Sequence, residues 1–177
     1  MPEILELLTD KFETPIGEMT IAVDRDGNLR AVDWTDHKDR MLNLLRRHYG
    51  KDGFRLQPSP NPGGLTDGLK RYFAGELASI EKLPTRTAGT AFQREVWRAL
   101  RDIPCGATVS YKQIAERIGR PNAVRAVGLA NGANPIGIVV PCHRVIGAGG
   151  ALTGYGGGVE RKRWLLNHES KKRQSSI

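Results

Sequence analysis

Between Leu83 and Gly89 the chain reads Leu-Pro-Thr-Arg-Thr-Ala-Gly, a stretch with little apolar content that punctuates rather than propagates regular structure. It separates segments that differ in charge and in periodicity. The 177 residues are therefore expected to build two small domains, 1–84 and 85–170, with a basic, polar, disordered tail over 171–177. Residues 1–84 hold 12 Lys+Arg against 14 Asp+Glu, whereas residues 85–177 hold 15 against 5, so the formal net charge of +8 belongs to the second segment. A basic half on a small chain points to a polyanionic partner, most often nucleic acid. No apolar run approaches the roughly 20 residues of a membrane-spanning helix. Residues 1–10 are acidic and alternating, unlike a secretory leader. Cys105 and Cys142 form neither a disulfide framework nor a paired metal motif, so a reducing, cytoplasmic setting with no metal or cofactor is expected.

In the first segment, Leu5–Phe12, Met19–Asp24 and Leu29–Trp34 alternate as strands of an antiparallel meander, joined by turns at Thr14–Gly17 and Arg25–Asn28. Met41, Leu44, Leu45 and His48 recur at helical spacing. Phe54–Leu56 reads as a further short strand. Leu65, Leu69, Tyr72 and Phe73 give a second helix, stopped at Gly75. Nothing catalytic is evident here.

The second segment is mostly helical, which makes the fold class α+β. Phe92, Val96, Trp97 and Leu100 form one stripe. Ser110-Tyr111-Lys112-Gln113 is a capping box, and Tyr111, Ile114, Ala115 and Ile118 continue it as a helical face. After the turn Gly119-Arg120-Pro121, Asn122 is expected to cap Ala123–Ala130. Two short helices around a tight turn in a basic segment suggest a helix-turn-helix. In the second of them Ala123, Ala126 and Ala130 suggest a nearly flat face beside Gly128, with Arg125 the only long polar side chain.

Asn131–Pro135 then leads into the apolar run Ile136–Val140 and the pentapeptide Pro141-Cys142-His143-Arg144-Val145. A proline can open a helix without wasting a donor, a thiol at such a start is favoured as thiolate, and imidazole is the usual base for a thiol nucleophile. A glycine-rich loop follows over 147–158, too irregular for a dinucleotide fingerprint or a P-loop and suited to wrapping a flat ring. A last helix, Val159–Glu169, carries His168-Glu169 at its end.

The pentapeptide closely resembles the active-site motif of the O6-alkylguanine-DNA alkyltransferases (methylated-DNA–protein-cysteine methyltransferases). The similarity extends over Phe92–Trp97, Val109–Tyr111, Arg125–Gly128, Asn134-Pro135, Gly154-Tyr155 and Trp164–Glu169, and resembles the bacterial constitutive type in the first half. It implies a ribonuclease H-like N-terminal domain and a winged helix-turn-helix in the C-terminal one. It further implies single-turnover transfer of the alkyl group from O6-alkylguanine to Cys142. The same reaction on O4-alkylthymine is left open. On this resemblance His143 takes the thiol proton through a water, Glu169 orients His143, and Tyr111 donates toward the guanine. Arg125 enters the duplex as the damaged nucleotide leaves the stack, with Ser110, Ala126, Gly128 and Ala130 against the DNA. Asn134 braces the turn before the active site. Tyr155 and the backbone of Cys142, Val145 and Gly156 hold the flipped base; some family members carry Ser where Gly156 stands. The implied partner is duplex DNA bound by a monomer, with cooperativity left open. Two other readings compete: a helix-turn-helix regulator with an incidental cysteine, and a cysteine hydrolase using Cys142, His143 and Glu169.

Overall fold

Leu7, Ala22 and Ala31 fall on one side of the alternating segments near the N-terminus, and Phe12 and Trp34 on the other, so the sheet they form must be covered on both faces. The computed structural model, which describes residues 3–175 and their side chains through 170, shows this arrangement. The chain divides into two compact units, Met1–Ala88 and Gly89–Ile177.

The first unit contains β1 (Leu5–Thr14), β2 (Gly17–Asp24), β3 (Leu29–Trp34), α1 (Lys38–Tyr49), β4 (Phe54–Pro58) and α2 (Leu65–Phe73). The sheet order is β3-β2-β1-β4. β1, β2 and β3 pair antiparallel, as the meander predicts. β4, the further short strand, whose partner the sequence does not specify, runs parallel to β1 with Leu7 opposite Leu56. A chain that returns through a helix rather than a hairpin is free to enter parallel. On one face Met41 and Leu45 of α1 pack on Leu7, Ala22 and Ala31. On the other, Phe73 of α2 meets Phe12 and Trp34 at ring-centroid distances of 6.2 and 6.4 Å. The segment expected to be a linker also covers the β3 edge. The Leu29 amide donates to Pro84 O (2.8 Å) and the Arg86 amide to Leu29 O (3.0 Å), which blunts an otherwise unpaired strand.

The second unit contains α3 (Ala91–Arg101), β5 (Val109–Ser110), α4 (Tyr111–Arg117), α5 (Val124–Gly132), β6 (Val145–Ile146) and α6 (Val159–Ser175). Both α3 and α4 start with a complete capping box, Thr90 with Gln93 and Ser110 with Gln113. β5 and β6 are a two-residue parallel pair that sets Val109 beside Val145. The α6 backbone continues into the stretch expected to be a tail. The side chains from 171 onward, and residues 176–177 altogether, lie outside the described residues. Among the described residues no helix is long and apolar enough to cross a membrane.

Candidate active site

Cys142 is presented by an unusual piece of backbone. After α5, the Asn134 side chain closes the turn from both ends. Its Oδ1 accepts from the Ile136 amide (3.0 Å), and its Nδ2 donates to Val140 O (2.7 Å). Val139 N–H donates to Gly137 O (2.8 Å) around Ile138, which is held at φ +70°. This is a γ-turn in the strained hand, on a β-branched residue. Cys142 N–H then donates to Val140 O (2.8 Å) around Pro141, at φ −82° and ψ 66°, an inverse γ-turn. Ile138 is fully buried, so the packed side chain holds the strain in place. Cys142–Arg144 form a single 3-10 turn with Pro141 at its cap. The expected α-helix start is thus corrected. A three-residue turn has almost no macrodipole, so little thiolate stabilisation comes from that source.

Behind the thiol lies a buried charged network. His143 Nε2 donates to Glu169 Oε2 (2.8 Å), and Arg144 grips the same carboxylate with Nε on Oε1 (2.9 Å) and Nη2 on Oε2 (3.0 Å). Arg144 Nη1 also donates to Ile103 O (2.8 Å). His143, Arg144 and Glu169 are all buried. Burial opposes charge on Glu169, but His143 and Arg144 outweigh it and hold the carboxyl well below the usual carboxylate range. Because the Nε2 proton is committed to Glu169, Nδ1 is left as the basic atom of the ring. It is buried and has no partner among the described residues.

Lys162 is fully buried on α6, on the same stripe as Leu165 and Glu169. Its Nζ donates to Val145 O (2.6 Å) and Thr153 O (2.8 Å), tying the residue after the active-site turn to the glycine-rich loop. Burial pulls its pKa down, partly offset by attraction to the Cys142 sulfur. The Tyr111 hydroxyl, at the first turn of α4, lies 3.2 Å from Thr153 Oγ1. Beside it opens a cleft of about 470 Å³ lined by Ser110, Tyr111, Val124, Ile146 and the start of the loop, Gly147 to Gly150. Tyr155 is half-buried and Gly156 exposed.

The side chains of α4 and α5, the pair expected to form a helix-turn-helix, separate cleanly. Ser110 Oγ accepts from the Gln113 amide (3.1 Å), so its hydroxyl is used as a cap. Asn122 does not cap α5: the cap position is Ala123, with no side-chain bond. Arg125 and Ala126 are exposed, and Gly128 is half-buried, with room for a Cβ 3.9 Å from the Tyr111 ring. Ala130 is a correction. It is 2 % exposed and its carbonyl accepts Trp97 Nε1 (2.8 Å), so it faces α3 and cannot meet DNA. The flat alanine face therefore does not exist as one surface. At 3.6 residues per turn the boundary between exposed and buried sides runs between Ala126 and Ala130. Asn131, buried beside Ala130, extends Nδ2 toward Cys142 O (3.5 Å).

Comparisons with known proteins identify the family. The model of the 6-O-methylguanine DNA methyltransferase DNA binding domain matches residues 91–171, and that of the same family's ribonuclease-like domain matches residues 7–87. The chain belongs to the 6-O-methylguanine DNA methyltransferase family. A methylated-DNA–protein-cysteine methyltransferase of Shigella flexneri is 57% identical over 166 residues, covering 94% of this chain and 97% of the relative. One from Mycobacterium tuberculosis is 46% identical over 170 residues, covering 94% of each. The crystal structure of Mycobacterium tuberculosis OGT in complex with DNA superposes with a TM-score of 0.78 at 44% identity, covering 93% of this chain and 94% of that one. In this methyltransferase-family chain the ribonuclease-like half uses its Asp10 for structure: Oδ2 accepts from the Asn61 amide (2.9 Å) and Thr66 Oγ1 (2.7 Å). Sequence reasoning did not single out Arg144, Lys162 or Asn131. For Lys162 a signal existed, since it precedes Leu165 by three residues and Glu169 by seven.

Proposed function

We propose that this chain repairs alkylated DNA by moving the alkyl group from O6 of guanine to Cys142, once per molecule. The buried Cys142-His143-Glu169 array, in a chain of this family, carries the reading. The alkylated base lies inside the stack, so the nucleotide is extruded at a cost of a few kcal/mol, while Arg125 fills the gap it leaves. α5 lies in the minor groove, with β5, β6 and the 147–158 loop as the wing beside it. Tyr155 and the backbone of Cys142, Val145 and Gly156 hold the flipped ring. The thiol proton passes through a water to His143 Nδ1, which Glu169 orients through Nε2. The Cys142 sulfur attacks the alkyl carbon, the S–C bond forms, and the C–O6 bond breaks with its electron pair on the guanine. Tyr111 donates toward that departing base. The DNA is left with ordinary guanine and the protein with a thioether, which water does not readily cleave. The protein acts in the cytoplasm as a monomer.

Thiolate formation alone contributes little here. Lowering a thiol pKa by ~3 units raises the thiolate fraction roughly 30-fold near neutral pH. Reduced nucleophilicity takes back about 20-fold. Alignment for in-line attack and stabilisation of the leaving guanine carry the rate.

Incubation with a duplex containing O6-methylguanine, followed by intact and peptide mass analysis, tests the reading. The expected result is one added methylene on the Cys142 peptide, a stoichiometric end point, and no modification of Cys142→Ser. Unmodified protein with sequence-dependent duplex binding identifies the regulator instead, and repeated turnover identifies the hydrolase.

A further inference from the structure

We infer that Leu129 is an apolar contact to the walls of the DNA minor groove, acting beside Arg125 on the exposed face of α5. The inference rests on the proposed function and adds a residue to its DNA-binding surface. Leu129 is 73 % exposed, against 44 % for Ile4 and 37 % for Val124 and Val159 among the other large apolar side chains at the surface. A single exposed leucine is ordinary on a protein surface and would carry nothing by itself. Its position decides the matter.

Val127, Ala130 and Asn131 fix the buried side of α5. At 3.6 residues per turn Leu129 falls near the centre of the opposite side, one turn beyond Arg125, with Ala126 and Gly132 flanking it. Both flanking residues are exposed and too small to reach past the helix backbone. Arg125 and Leu129 are therefore the side chains that project from this face. The surrounding segment carries exposed Lys112, Arg117 and Arg120, the last paired with Glu95 (3.6 Å), against one exposed carboxylate of its own, Glu116, so its balance stays positive and suits a polyanion. The partner to which this face fits is thus a duplex whose phosphates meet the cations, with Leu129 directed between them.

The chemistry of the minor groove explains why leucine suits that position. The groove floor offers a degenerate hydrogen-bonding pattern, so a polar reader gains little discrimination. Inserted apolar side chains instead contact sugars and base edges whatever the sequence, and favour opening of the groove. A repair protein that must act at any damaged guanine gains affinity from such a contact without gaining sequence preference. The contact carries no charge and releases no counterion, so it is independent of salt.

The test uses the full chain with Cys142→Ser, which binds without reacting, and fluorescence anisotropy with an O6-methylguanine duplex. Leu129→Ala removes three carbons from the contact and is expected to weaken binding about tenfold, with an unchanged salt slope and an unchanged thermal midpoint. Leu129→Met, which restores apolar reach, is expected to bind within about twofold of the parent. Leu129→Ala binding as tightly as the parent overturns the inference. If Arg125→Ala weakens binding while Leu129→Ala does not, the inference fails and the proposed function stands. If the Cys142 protein neither binds nor is alkylated by the lesion duplex, both fail.

Discussion

Glu169 is the residue on which the active-site charges converge, and its acidity makes a test of that convergence. With His143 and Arg144 both on one buried carboxylate, the folded-state pKa lies below the unfolded value. A depressed carboxylate contributes stability above the unfolded pKa, near about 4.3, and loses it as pH falls toward the folded value. Glu169→Gln removes that charge and leaves Arg144 buried without its counter-ion. Breaking a buried pair in this way costs about 3–5 kcal/mol. Urea unfolding is expected to show a deficit of that size at pH 7 that shrinks progressively below pH ~4. A deficit constant from pH 7 to pH 3 would mean that the carboxylate charge is not what stabilises the native state. The same variant leaves the His143 tautomer unspecified and is expected to slow alkylation of Cys142. Arg144 shows where reading residues in order falls short: it sits inside the quoted pentapeptide, yet its partner is 25 positions away and only the packing of α6 reveals it.

At the level of elements, what was local was legible. The three meander strands and both amphipathic helices of the first unit follow from alternation and 3.6-residue spacing. The Ser110 capping box follows from the identity of two residues three apart. The parallel partner of β1 was not legible, because Phe54–Pro58 carries no mark of which strand it will join. Nor were the two γ-turns before Cys142, which depend on Asn134 bonding Val140 six residues on. The matched capping boxes allow stability to be separated from reactivity. Thr90→Ala and Ser110→Ala each remove a cap worth about 1 kcal/mol, and each is expected to lower the thermal midpoint by about 2–4 °C. α4 opens with Tyr111, whose hydroxyl reaches Thr153, whereas α3 opens with Ala91. Ser110→Ala is therefore expected to slow alkylation of Cys142 as well, and Thr90→Ala to leave it unchanged. Equal rates for the two variants would mean that the first turn of α4 is not needed to hold Tyr111 in place.

For the whole molecule, the division of charge assigns the proposed DNA binding to one half. Residues 1–84 carry a net −2 and residues 85–177 a net +10, so the first unit offers a polyanion no net attraction. Within α4, α5 and the turn between them the exposed cations are Lys112, Arg117, Arg120 and Arg125. If Arg125 enters the duplex as proposed, and Arg120 exchanges its Glu95 partner (3.6 Å) for a phosphate, three are counted for phosphates. Each neutralised phosphate contributes about −0.9 to the slope of log K against log salt, which gives about −3 for the site. Between 50 and 200 mM salt the affinity is then expected to fall roughly 40-fold. This can be read by anisotropy on undamaged and damaged duplexes with the Cys142→Ser protein. The two slopes should coincide, because the lesion changes the base and not the phosphates, and the damaged duplex should bind more tightly by a factor that salt does not alter. A slope shallower than about −1 would show that the basic half does not engage the backbone. A lesion preference that disappears at high salt would show that extrusion of the base depends on phosphate contacts rather than on Arg125 and the pocket.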